Sequence, residues 1–299
     1  MRILATLCLL PLPAMAQVPL VVTDIPPVHA LVSQVMGDLG SPVLLLSPGA
    51  DAHEFQLRPS QMQNIQDAGL IIWIGPALTP WLARAAQSTK APMFGLLEAP
   101  DTKIQTYLTD QDDKHSDGAA DQDHDHAGVD PHAWLNPENA VLWLPLIAAE
   151  LARADPDNAA RYTANADAAV QRTKALDAEV AALLAPVASA PLVTYHNAYG
   201  YFVSQYGLAY AGAIADGEAA EPGAAHLVAM QAHLSKANVR CLFPEIQHDP
   251  ALAAQLLAPA DTRLGGALDP VGSSLEPGPM AYDALIRAIA MTLVDCLKA

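Results

Sequence analysis

The chain predicts an α/β fold of two lobes with parallel sheets, joined by one long rigid helix, with a cleft between them. Three observations carry this expectation. Short β-rich runs alternate with helical patterns near the N-terminus, and the same alternation restarts near residue 192. Between the two stretches, residues 159–184 contain neither Gly nor Pro. Strands that alternate with helices imply a parallel sheet. A chain of 299 residues suits one large domain or two of ordinary size, and 52% apolar residues supply a sizeable core.

The elements follow in order. Residues 20–23, 43–46 and 70–74 read as buried strands, with helical spacing at 28–36 and 59–68 between them. Residues 137–154 predict one helix. Asp155-Pro156-Asp157-Asn158 then caps a second, with Pro near its first turn. That helix, about 28 residues and about 42 Å long, would act as a strut, unlike a Gly/Ser linker. Strands are expected again at 192–195, 209–214 and 239–243, with a last short one at 264–268. The expected division is a signal peptide at 1–16, an N-terminal lobe at 17–139 with an acidic loop at 110–128, a helical segment at 140–188, and a C-terminal lobe at 189–299.

The N-terminus MRILATLCLLPLPAMAQ has a positive start at Arg2, an apolar run from Ile3 to Leu12 and a small-x-small site at Ala14-Met15-Ala16. This predicts a secretory signal cleaved after Ala16 and a soluble, exported mature protein. Cys8 lies inside the run and is not read as a lipid anchor. Two cysteines remain, Cys241 and Cys296. In an oxidising compartment an even pair suggests a disulfide, with two separate buried thiols as the alternative.

The formal net charge of -17 argues against nucleic acid as a partner, since phosphate contacts need clustered Lys and Arg. Residues 110–130 hold eight Asp against one Lys, together with His115, His124 and His126. Such a loop either gathers cations weakly or is merely solvated.

Three other histidines carry more weight. His53 in GADAHEFQLRPS follows a strand, His132 in DPHAWLNP closes the acidic loop, and His196 in LVTYHNAYGYF comes straight off a strand. Ligand sites in open α/β sheets lie beyond the carboxyl ends of strands. Asp269 in GGALDPVG occupies another such end, although a turn-forming role is equally ordinary before Pro. Three imidazoles and a carboxylate would make a four-coordinate, nitrogen-rich site that favours zinc over manganese or magnesium. Asp130 and Asn197 are the expected outer partners of the imidazoles. His29 is expected to pack near a helix start, and His226, His233 and His248 show no metal spacing.

With these motifs, PVHALVSQVMG, EPGAAHL, CLFPEIQ and LDPVG included, the chain resembles the zinc-specific periplasmic solute-binding proteins of ATP-binding-cassette importers, the ZnuA-like group. The resemblance covers nearly all of the mature chain. It implies two α/β lobes around a cleft, Zn(II) as the bound ion, and metal ligands at His53, His132, His196 and Asp269. It also implies a Cys241–Cys296 disulfide. The expected partners are an ABC permease and its ATPase at the inner membrane, and a periplasmic zinc chaperone is left open. The protein is expected to be a monomer. Manganese-binding relatives typically carry a carboxylate where His196 stands. Two positions depart from the pattern: Asn136 and Asn197 stand where Asp is more usual.

Capture and delivery of zinc is therefore the leading expectation, and not an enzyme activity. A manganese or iron binder of the same fold is the nearest alternative. A zinc hydrolase is more distant: the chain has no HExxH, Asp269 would close the coordination, and Glu245 would have to stand beside a zinc-bound water. A purely structural zinc site would make the fold depend on metal.

Overall fold

The computed structural model describes residues 18–107, 128–215, 224–257 and 262–298. The expected signal segment and His115, His124 and His126 lie outside the described residues. Two four-stranded sheets form, each wholly parallel. The first holds β1 (Val21–Thr23), β2 (Val43–Leu44), β3 (Leu70–Trp73) and β4 (Met93–Gly95) in the order β2-β1-β3-β4. The second holds β5 (Leu192–His196), β6 (Tyr210–Ala215), β7 (Cys241–Phe243) and β8 (Arg263–Leu264) in the order β6-β5-β7-β8. The lobes thus share one strand order, a repeat that exists in topology and is not visible as sequence similarity.

Several boundaries differ from expectation. β4 escaped the sequence reading because it is a three-residue edge strand that begins at an exposed Met93. The strand expected over 264–268 is only β8, followed by a single parallel bridge between Glu245 and Leu268. Helix α1 (Pro26–Met36) opens two residues early, with Pro26 and Pro27 in a first turn where a missing N–H costs little. His29 lies in it and is buried, as a packing role requires.

After α2 (Pro59–Asp67) and α3 (Pro80–Ala85), helix α4 (Pro137–Ala154) and helix α5 (Ala159–Leu184) form the centre of the molecule. Asn136 caps α4 by accepting from the Glu138 N–H at 2.8 Å, so the first departure from the motif serves a helix start. The strut α5 has 26 residues, about 39 Å of helix. It is shorter than predicted because Pro156–Asn158 forms a separate 3-10 turn. Its buried residues, Tyr162, Ala166, Ala169, Thr173, Leu176, Val180 and Leu184, recur every three to four positions and make one apolar face.

A polar stripe beside that face touches both lobes. Asn165 donates to the Val35 carbonyl at 3.0 Å, and Gly37, at φ 57°, leaves room for Asn165 where a Cβ would stand 2.6 Å from its amide nitrogen. Arg172 donates to Gln34 at 3.0 Å, and Gln34 donates to the Pro279 carbonyl at 2.7 Å. Arg287, on the last helix α9 (Ala281–Leu297), grips Glu179 through two nitrogens at 2.9 Å. One continuous core cluster runs from Val21 to Leu297, while two smaller clusters cover the outer faces of the two sheets. Cys241 on β7 and Cys296 on α9 are joined in a disulfide. No helix among the described residues is long and apolar enough to cross a membrane.

Candidate metal centre

His196 is the last residue of β5, so its side chain is delivered to the carboxyl end of the second sheet. The β5–β7 register pairs Thr194 with Phe243. Two residues further along, that register sets His196 beside Glu245. The His196 Nδ1 stands 2.8 and 2.7 Å from the two oxygens of a carboxylate that is only 2% exposed. The negative charge behind this imidazole therefore comes from Glu245, where the neighbouring Asn197 has none to give.

His132 precedes a short 3-10 turn, Ala133–Leu135, that leads into α4. Its Nδ1 lies 2.7 Å from Asp130 Oδ1, which also accepts the His132 backbone N–H at 2.9 Å. Asp130 is thus the outer partner the sequence suggested. The segment is bolted across the molecule: Tyr201, on α6 (Gly200–Tyr206), donates to the Asp130 carbonyl at 2.9 Å. Trp134 Nε1 donates to the Pro270 carbonyl at 2.8 Å, and Tyr282 donates to the Trp134 carbonyl at 2.9 Å. These bonds explain how a histidine on an irregular segment is held as firmly as one on a strand.

His53 sits in the loop after β2, where its N–H donates to Asp51 Oδ1 at 2.8 Å. Trp81 Nε1 pins the same loop by donating to the Ala52 carbonyl at 2.7 Å. The three rings meet. The His132 centroid lies 5.5 Å from that of His53 and 5.5 Å from that of His196. His132 is 1% exposed and His196 7%, whereas His53 is half-buried, so the group deepens from His53 inward.

A carboxylate that accepts from the Nδ1–H of an imidazole fixes the tautomer and leaves the Nε2 lone pair as the ligand atom. His132 and His196 both have this arrangement. Replacing Glu245 by Gln should keep the hydrogen bond but remove the charge. Zinc affinity should fall about 10–100-fold, the usual cost of losing such an outer partner. A calorimetric or chelator-competition titration measures it, and an unchanged affinity would mean that Glu245 does not tune the site.

Asp269 is placed at the carboxyl end of the second sheet but is heavily engaged. Its Oδ1 accepts from Gln247 Nε2 at 3.1 Å and the Ser273 N–H at 3.1 Å. Its Oδ2 accepts from the Ser274 N–H at 2.9 Å and the Ser274 hydroxyl at 2.7 Å. These bonds suit a turn-forming Asp and equally suit a ligating carboxylate held by its neighbours. The fully buried Tyr199 lies close by, its ring centroid 6.3 Å from that of His196. Burial, and then the charges of Glu245 and Asp269, push its phenol well up.

His248, whose place in the sequence shows no metal spacing, also reaches this group. It lies in the turn after β7, with its Nε2 3.9 Å from Glu245 Oε2, and forms a compact donor group with Glu245 and His196. Burial lowers its pKa, partly opposed by Glu245. The missed signal was positional: Glu245 and His248 follow β7 just as His196 ends β5, but only strand pairing shows that the two ends meet. His233, on α7 (Ala224–Lys236), is spent on the Ala211 carbonyl at 2.6 Å.

Known proteins share this architecture. Residues 21–296 match the model of the family described as "Zinc-uptake complex component A periplasmic". The "High-affinity zinc uptake system protein ZnuA" of Paracoccus denitrificans is 45% identical over 308 aligned residues, covering 96% of this chain and 94% of that protein. The protein of the same description from Brucella suis biovar 1 is 32% identical, covering 93% and 91%. Among solved structures, a "Crystal structure of ZnuA" superposes with TM-score 0.76 at 22% identity, covering 93% of this chain and 99% of that one. The solute-binding protein FpvC of Pseudomonas aeruginosa in complex with Mn2+ superposes with TM-score 0.78 at 21% identity, covering 94% and 98%. At such identity these two structures speak for the fold alone. The family model and the two sequence relatives go further: this chain belongs to the ZnuA family, the periplasmic component A of zinc-uptake complexes.

Proposed function

We propose that the protein captures Zn(II) in the periplasm and hands it to an ABC permease and its ATPase for import. The observation that carries this reading is the meeting of His53, His132 and His196 from three separate segments, two of them backed by buried carboxylates. Three neutral imidazoles suit zinc better than manganese, which prefers more oxygen. Asp269 is the fourth ligand in this reading, oriented by Gln247, Ser273 and Ser274. Family membership and the names of the Paracoccus and Brucella relatives support the transport role. The leader is removed after Ala16, leaving a monomeric carrier.

The geometry disfavours a hydrolase. Glu245, the residue that would serve as base, is committed to His196 as the acceptor for its Nδ1–H. A structural zinc site is disfavoured too, because apolar clusters pack each lobe and the space between the lobes. Chelation is expected to leave the fold in place.

A zinc-loaded crystal with anomalous scattering at the zinc edge tests the assignment. One ion bonded to the three imidazoles and Asp269 is expected, and a water in place of Asp269 would remove that residue from the ligand set. Titration against Mn(II) is the companion measurement. Displacement of zinc at comparable manganese concentration would overturn the zinc assignment. Deleting residues 111–127 should leave one tight site and slow loading, since the acidic loop raises the local cation concentration. Equal loading rates by stopped-flow mixing would deny the loop, with His115, His124 and His126, an auxiliary role.

A further inference from the structure

We infer that His248 and Glu245 form a second, weaker zinc position, coupled to the three-histidine site through their shared neighbour His196. The inference rests on the zinc-capture reading and adds to it a route by which free zinc speeds the exchange of bound zinc.

The geometry is specific. His248 Nε2 and Glu245 Oε2 are 3.9 Å apart, too far for a hydrogen bond. Zinc bonds of about 2.0–2.2 Å meeting at a tetrahedral angle set such atoms about 3.3–3.6 Å apart, so the pair needs to close by only a few tenths of an ångström to hold one ion. The His248 ring is already oriented. It stacks on Tyr195 with centroids 4.1 Å apart and planes 17° from parallel. Its backbone N–H closes the turn onto the Glu245 carbonyl at 3.3 Å, and Asp249 caps the next helix, α8 (Pro250–Leu256), by accepting from the Ala251 N–H at 2.8 Å. Asp51, from the loop that carries His53, lies near enough to act on His248 electrostatically and adds negative potential from the other lobe. The His248 side chain is 29% exposed while that of Glu245 is 1% exposed, so solvent reaches this position by way of His248.

The coupling follows from the shared carboxylate. Glu245 holds His196 Nδ1 and raises the basicity of that imidazole toward a metal on its other nitrogen. A cation on Glu245 competes for the same charge. The imidazole then becomes a poorer ligand, and the inner ion leaves faster. Only two protein atoms of the chain are needed for the outer ion, so it binds more weakly than the inner one and is filled only when free zinc is abundant.

The test is isotope exchange. The full-length mature protein is loaded with one equivalent of one zinc isotope, and release is followed as free zinc of another isotope is raised. The exchange rate of the wild-type protein should climb about tenfold with free zinc, in line with the loss of an outer-partner hydrogen bond. His248→Phe, which keeps the stack on Tyr195 but removes the nitrogen, should abolish that climb. His248→Gln guards against a packing defect and should do the same. Wild-type crystals in excess zinc should show an anomalous peak bonded to His248 and Glu245. A climb that persists in both variants, or crystals without that peak, would overturn the inference and leave the capture reading standing. Failure of the wild-type protein to hold one zinc tightly would overturn the capture reading itself.

Discussion

Replacing His132 by alanine is expected to weaken zinc binding more than 100-fold, beyond the 10–100-fold usual for loss of an outer partner. The ring is central, 5.5 Å from both His53 and His196, so its removal divides the ligand set. It is also the most buried of the three, and its carboxylate partner Asp130 is fully buried. Truncation therefore removes a ligand and strands a charge that water cannot easily reach. A chelator-competition titration gives the affinity, and thermal unfolding of the metal-free variant controls for misfolding. His132→Gln, which fills more of the space, should lose affinity to a similar degree. A loss under tenfold in both variants would show that the ion is held elsewhere.

The second large effect concerns stability. Converting both Cys241 and Cys296 to serine should cost about 4 kcal/mol, as the chain-entropy model gives for a loop of 55 residues. The disulfide ties β7, which ends two residues before Glu245, to α9, which closes the second lobe over α5. Its loss frees the C-terminal segment in the unfolded chain and leaves a serine hydroxyl at the buried position of Cys241. Denaturant unfolding of the metal-free protein measures the change, and a difference below about 1 kcal/mol would mean that the bond adds little constraint. The tight zinc site should survive in the folded fraction, because His53 and His132 are anchored by other segments.

Much of this was legible in the sequence. The alternation of strand and helix patterns gave both sheets, and the run without Gly or Pro gave the strut to within two residues. Misplaced elements were those whose identity depends on neighbours. β4 is an edge strand of three residues, and the expected strand over 264–268 is mostly a single bridge to Glu245. Asn136 looked like a weakened motif and proved to be a helix cap.

Of the candidate site, the sequence by itself offered the donor chemistry: three histidines, each in a setting that places side chains at strand ends or at an ordered turn. It also pointed to Asp130, because that partner is two residues away and local backbone geometry keeps it close. Only the tertiary structure decided that Glu245, 49 residues from His196, stands behind it, and that His248 joins them. The physical reason is register. A parallel pair of strands has no local turn to fix its alignment, so which side chains meet at the carboxyl end is set by packing of the whole lobe.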